Sequence, residues 1–132
     1  MEQQPSSVEG LPEGFCIRPL ALTDYKDYTN LLRQLTEVGD VDETLFTSLF
    51  QNFTSHSSIY DVWVIEDAVH KKLAATSTLF IEQKVIHGGS RVGHIEEVVT
   101  DSSYRGKGIG KALVCEFFIL ICELFKLMNS LD

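Results

Sequence analysis

Hydrophobic and polar positions recur along the chain with two different periods. In residues 14–20 (GFCIRPL), Phe15 and Ile17 share one face and Pro19 closes the run, the pattern of a short edge strand. Between 24 and 35 the period lengthens. Tyr28, Leu31, Leu32 and Leu35 recur at helical spacing, behind Thr23 or Asp24 as N-cap. TEVGD at 36–40 breaks that helix at Gly39. A second apolar stripe of Leu45, Phe46, Leu49, Phe50 and Phe53 predicts a core-facing helix over 42–53. Three strand-like runs follow at 59–65 (IYDVWVI), 72–83 (KLAATSTLFIEQ) and 91–100 (RVGHIEEVVT). A polar turn at 66–71 and the turn Gly88-Gly89-Ser90 separate them. A polar, Gly-rich loop over 101–110 leads into 109–128, which is apolar on nearly every side and predicts a helix buried over much of its surface. The order is β-α-α-β-β-β-α, an α+β arrangement. Three strands with short turns make an antiparallel meander, and the last β-loop-α unit resembles the opening of a βαβ crossover.

With 132 residues the chain holds one domain. Residues 1–13, rich in Gln, Ser, Pro and Glu, are expected to form a disordered tail before a domain at 14–132. That stretch has neither basic residues nor an apolar run, so it is not read as a secretory signal. The formal net charge of −8 disfavours nucleic-acid binding. The greasiest stretch, 112–128, carries Glu116, Glu123 and Lys126 and is not expected to span a membrane. Cys16, Cys115 and Cys122 form no C-x-x-C pair, so neither a disulfide framework nor a metal site is expected. Reduced, buried thiols of a cytoplasmic protein are the reading, with Cys115 and Cys122 packed in the core.

The charge balance makes one stretch stand out. VVTDSSYRGKGIGK at 98–111 runs from a strand through three glycines directly into a helix. Backbone N–H groups at 106, 108 and 110, together with the positive end of the helix, make a cradle for a diphosphate. Arg105, Lys107 and Lys111 supply the local positive charge that the whole chain lacks. A P-loop is excluded because Arg105 occupies the place of its first glycine and Ala112 follows Lys111. A Rossmann fingerprint is excluded because Lys111 stands at its third glycine. The pattern [RQ]-x-x-G-x-[GA] fits fully over Arg105-Gly106-Lys107-Gly108-Ile109-Gly110. It resembles the acetyl-CoA pyrophosphate loop of the GNAT superfamily of N-acetyltransferases. LTEVG at 35–39, IEQKVIH at 81–87 and GHIEEVV at 93–99 extend the resemblance, over roughly 14–112, to the glucosamine 6-phosphate N-acetyltransferase family.

The resemblance implies a GNAT-type acyl-CoA N-acyltransferase fold with a central, mostly antiparallel sheet. It implies acetyl transfer from the co-substrate acetyl-CoA to the amine of glucosamine 6-phosphate, on the route to UDP-N-acetylglucosamine, by a cytoplasmic homodimer without a metal. Carried over by residue, Thr36 contacts the substrate, as do Lys84, Val85, Ile86 and His87. Glu96, Glu97 and Val98 lie at the reacting centre, the two acids being the catalytic candidates. Val98, Val99 and Thr100 offer strand backbone to the pantetheine arm. Arg105, Gly106, Lys107, Gly108, Ile109 and Gly110 hold the pyrophosphate. The family usually has Asp in place of Glu97. Beyond Ala112 the match fades, and the family's usual C-terminal β-α-β has no counterpart in this sequence. Acetyl transfer is the expectation, and the alternative is a catalytically weak or inactive shortened homologue acting as a dimerisation or binding module.

The residues themselves add four expectations. Glu96 and Glu97 are adjacent on a strand, so they should point to opposite faces, only one of them at the amine. An acid in a central strand is costly to bury unpaired, which favours a functional role. His94 shares a face with Glu96 and is expected to bond to it. His56 and His70 are expected in exposed loops and Trp63 in the core. Without a Ser/His/Asp or Cys/His set, direct attack of the amine is expected rather than a covalent enzyme intermediate.

Overall fold

The computed structural model describes the backbone of residues 10–129 and side chains as far as residue 123. Strands β1 (Phe15–Pro19), β2 (Tyr60–Asp67), β3 (Lys72–Gln83) and β4 (Arg91–Thr100) form one sheet in the order β1-β2-β3-β4, with every neighbouring pair antiparallel. Helices α1 (Tyr25–Arg33) and α2 (Glu43–Ser55) lie between β1 and β2. A single helical turn, α3 (Ile86–Gly89), joins β3 to β4, and α4 (Ile109–Asn129) follows the glycine-rich loop. The meander and the limits of β3 and β4 are as the alternation predicts.

Two connections differ from expectation. β2 continues through Glu66 and Asp67, which still pair with Leu73 and Lys72. The hairpin is tighter because Asp67 builds the turn from its own side chain, Oδ1 accepting from the amides of Val69 and His70 at 3.1 Å each. The Gly88-Gly89 turn is α3, in which His87 and Gly88 take left-handed φ of 53° and 71°.

The period-2 pattern divides the core between the two sheet faces. On one face Tyr28, Leu31 and Phe46 of α1 and α2 cover Val62, Val64 and Val99. On the other, Ile109, Leu113 and Phe117 of α4 cover Ile65, Ala75 and Leu79. Two glycines let α4 lie against β4. A Cβ on Gly93 would meet Ile121 Cδ1 at 3.1 Å, and one on Gly110 would meet Thr100 Oγ1 at 2.8 Å.

Because the sheet covers only one side of it, α4 buries a stripe rather than its whole surface. Phe118 and Ile119 are 65% and 53% exposed, and Cys115 and Cys122 are exposed free thiols rather than core residues. Cys16 is half-buried, and Trp63 is half-buried against the α4 side of the core. Of the expected tail, residues 1–9 lie outside the described residues, as do 130–132. Leu11, expected to be disordered, packs against the α4 side of the core.

Gly110→Ala should destabilise the domain by about 1–3 kcal/mol through overpacking. Thr100→Ala in the same chain should restore most of that loss. Urea midpoints of the two single variants and the double variant test this, and purely additive losses would contradict the proposed clash.

Candidate active site

β4 carries a pair of acids in its middle and the glycine-rich loop at its end. At the loop, Gly106 and Gly108 have left-handed φ of 82° and 76°, and a Cβ at either position would meet nothing within 4 Å. Both conditions are needed where backbone N–H groups turn outward to an incoming anion. Ala112 is the first residue to donate back into the helix, to the Gly108 carbonyl at 3.0 Å. The amides of Ile109, Gly110 and Lys111 therefore stand ahead of the first helical bond and are left for a ligand. Ile109 is 1% exposed and packs into the α4 side of the core. Lys107 Nζ lies 5.4 Å from the centre of the Tyr104 ring, and Arg105 Nε donates to the Thr100 carbonyl at 3.3 Å.

The root of the loop is pinned from three directions. Asp101 donates its amide to the Ala74 carbonyl at 2.8 Å. Its carboxylate accepts from Gln34 Nε2 at 2.7 Å and from the Ser103 amide at 2.9 Å, with Lys72 Nζ at 3.7 Å. Burial pushes this carboxyl up, but the bonds from Ser103 and Gln34 and the Lys72 charge outweigh it and leave it at about 2. Three residues on, the Tyr104 hydroxyl donates to Asp67 Oδ2 at 2.7 Å. That bond, with those of His70, holds Asp67 at about 2, while the carboxylate pushes the Tyr104 hydroxyl up to about 12.

The acid pair departs from the alternation rule. Thr76 pairs with Val99 and Thr78 with Glu96, so one residue of β3, Ser77, faces two of β4, Glu97 and Val98. This is a β-bulge, and Glu97 takes a left-handed φ of 52° within it. The extra residue resets the parity of the strand. Glu96 belongs to the row of Thr78, and Glu97 to the row of Val99, whose side chain packs on the α1–α2 side. Both acids therefore face the same way, contrary to the expectation of opposite faces. They line one cleft of about 330 Å³ with Phe53, Tyr60, Thr78 and Phe80. Burial and then the Glu97 charge push the Tyr28 hydroxyl up.

The acids are exposed rather than buried, because β4 is the last strand of the sheet among the described residues. His94 does not bond to Glu96. Its Nε2 meets Glu82 Oε1 at 3.0 Å, and its ring lies 5.6 Å from that of Phe80.

Residues 25–117 match the family model of the Acetyltransferase (GNAT) family. A glucosamine 6-phosphate N-acetyltransferase of Candida albicans is 42% identical over 105 residues, covering 79% of this chain and 70% of that protein. One from Arabidopsis thaliana is 39% identical over 114 residues, covering 86% and 76%. The crystal structure of the glucosamine-6-phosphate N-acetyltransferase from Arabidopsis thaliana superposes with a TM-score of 0.79 at 38% identity, over 86% of this chain and 77% of that one. The chain belongs to the GNAT acetyltransferase family, in its glucosamine 6-phosphate N-acetyltransferase branch.

As a GNAT acetyltransferase, the chain carries Val98, Val99 and Thr100 between acids and cradle. Val98 is exposed, whereas Val99 is buried and pairs with Thr76. Thr36, exposed, follows the end of α1 that Gln34 ties to Asp101. Lys84, Val85, Ile86 and His87 lie at the opposite end of the β3–β4 hairpin from the loop. Lys84 Nζ folds back to Glu82 Oε2 at 3.0 Å, while Val85 and Ile86 are 94% and 61% exposed. Neither Ile86 nor His87 lines the acid cleft. His56 caps the end of α2 and is exposed, and the exposed His70 bonds to Asp67. Among the described residues no His/Cys/Asp/Glu group of three or more is placed to hold a metal, and no helix is long and apolar enough to cross a membrane.

Sequence reasoning missed Asp101, Gln34, Tyr104 and Glu82. Only Asp101 carried a local signal, since Asp-Ser-Ser is a side-chain-built turn pattern.

The lowered carboxyls fix a pH effect. Asp67 and Asp101 stand near 2 in the fold against an ordinary value near 4. Such a group adds stability above its unfolded value and loses it as pH falls toward the folded one. Stability should therefore drop between about pH 4 and pH 2, and Asp101→Asn should flatten part of that slope. Urea midpoints of both proteins at several pH values across this window test it. An unchanged slope in the variant would contradict the network.

Proposed function

We propose that the chain transfers the acetyl group of acetyl-CoA to the amine of glucosamine 6-phosphate, giving N-acetylglucosamine 6-phosphate. One observation carries the proposal: a single strand joins a cleft lined by two carboxylates to an anion cradle at a helix start. Relatives that are about two-fifths identical to this chain over the aligned residues bear the name of that activity.

The cradle fits the diphosphate of coenzyme A. Open space at Gly106 and Gly108, the amides of Ile109, Gly110 and Lys111, and the charges of Arg105 and Lys107 match an extended dianion. Bound acetyl-CoA supplies an activated acyl group as its thioester. The backbone of Val98 to Thr100, on the last strand among the described residues, is placed to take the pantetheine arm as a further strand would lie.

Glu96 and Glu97 are exposed on one face and positioned to hold the acceptor amine by charge-assisted bonds. One of them accepts the proton that the amine sheds on becoming a nucleophile. The aromatic floor of Phe53, Tyr60 and Phe80 excludes water from beneath the sugar ring. Thr36 and the segment from Lys84 through Val85 and Ile86 to His87 contact the rest of the acceptor. The exposed apolar tip at Val85 and Ile86 belongs to the contact of a homodimer. A cytoplasmic role in supplying UDP-N-acetylglucosamine completes the reading.

Purified protein should release thiol from acetyl-CoA only when glucosamine 6-phosphate is present. Gly108→Val should raise KM for acetyl-CoA at least about tenfold by blocking the cradle. Glu97→Gln should lower kcat by about 100-fold and leave KM for acetyl-CoA unchanged. Coenzyme binding by calorimetry without any turnover of glucosamine 6-phosphate would overturn the acceptor assignment, and absence of coenzyme binding would overturn the cradle.

A further inference from the structure

The face of β3 and β4 that carries Glu96 continues beyond the acid cleft. Register pairs Thr78 with Glu96, Phe80 with His94 and Glu82 with Val92. Residues two apart share a face, so Thr78, Phe80 and Glu82 on β3 run beside Glu96 and His94 on β4. Ring contacts form the floor of this strip: Phe53 to Tyr60, Tyr60 to Phe80 and Phe80 to His94, each with centroids 5.6 Å apart. Glu82 closes the strip. Its Oε1 meets His94 Nε2 and its Oε2 accepts from Lys84 Nζ, both at 3.0 Å. First the His94 bond and then the Lys84 bond hold the Glu82 carboxyl below its ordinary range. Lys84 thus turns its ammonium back along the strip instead of extending it from the hairpin tip.

The dimensions suit a ligand with an amine at one end and an anion at the other. From Thr78, opposite Glu96, to Glu82 is four residues of β3, about 13 Å at ~3.3 Å per residue. Hydrogen bonds of about 3 Å at each end leave about 7 Å between them, the room that one hexose ring fills. An ammonium has three protons to donate. The bond to Glu82 uses one, and two remain for a phosphate.

We propose that Glu82, itself held by the His94 ring, is a positioning residue for the phosphate end of the acceptor, fixing the Lys84 ammonium on the strip that leads from Glu96. This rests on the acceptor being a phosphorylated amino sugar, as proposed above, and adds how the chain selects the phosphorylated form. The pairing of Glu82 with two partners holds the Lys84 ammonium at the end of the strip away from Glu96. An ordinary surface ion pair would have no such effect on substrate binding.

The test is steady-state kinetics of Glu82→Gln, which keeps the shape of the side chain and removes its charge. Glu82 has a 37% exposed side chain, and circular dichroism checks that the variant is folded. KM for glucosamine 6-phosphate should rise about tenfold, kcat should stay within about twofold, and KM for acetyl-CoA should not move. In a Lys84→Met background the same substitution should cause no further rise, since Glu82 acts through Lys84. An unmoved KM in Glu82→Gln, or an equal rise in the Lys84→Met background, would overturn the inference while leaving the acceptor assignment standing. Absence of wild-type turnover with glucosamine 6-phosphate would overturn both.

Discussion

One surplus residue in β4, opposite Ser77, decides what the molecule can do. Without the bulge, strict alternation would send one of Glu96 and Glu97 toward the α4 side, where Ile109, Leu113 and Phe117 form an apolar core. A carboxylate there would face that apolar side, away from the cleft, and the two acids could not act together on one ligand. With the bulge both acids face the α1–α2 side, and Val99 still reaches its buried place beside Tyr28 and Val64. The left-handed φ of Glu97 costs about 1–2 kcal/mol, and the retained packing of Val99 offsets it. The same bulge leaves the end of β4 free to pair with β3 through Thr100 before the chain enters the loop.

Charge is distributed to match. The chain carries a net −8, yet Arg105, Lys107 and Lys111 fall within seven residues at the start of α4. A diphosphate approaching the bulk of the surface meets repulsion, and only the loop draws it in. The cations are also separated from acids that would neutralise them. Lys107 is held over the Tyr104 ring, and the Tyr104 hydroxyl is tied to Asp67 in the β2–β3 turn. Asp101 spends its charge on Gln34, Ser103 and Lys72. The loop thus hangs from two saturated carboxylates and leaves its amides for a ligand.

The legible parts of this design were those written in local patterns. The limits of β3 and β4 follow from alternation between polar turns, and the cradle follows from glycines spaced two apart before an apolar helix. The bulge was illegible because Glu-Glu-Val-Val contains no glycine or turn residue to mark it. Its cause is tertiary, since Val99 and Glu96 each have a place fixed by a neighbour. The partner of His94 was misread for a related reason. Glu82 is twelve residues away, and only the strand register brings it alongside. Composition also overstated the burial of α4, because it cannot report that the sheet covers a single stripe of the helix and leaves Cys115 and Cys122 in solvent.

Position 97 shows how backbone and chemistry compete for one residue. A left-handed φ is tolerated best by Asn and Asp, whose short side chains bond to their own backbone. Glu97 holds that conformation at φ 52° without this advantage. Its extra methylene carries the carboxylate farther from the kinked main chain, in a cleft it lines with Phe53, Tyr60 and Phe80. An Asp there would relax the backbone and hold its charge about one bond length closer to the main chain. The longer acid therefore bears local strain while keeping its charge in a cleft open to solvent, beside Glu96, where the proposed acceptor amine would be held.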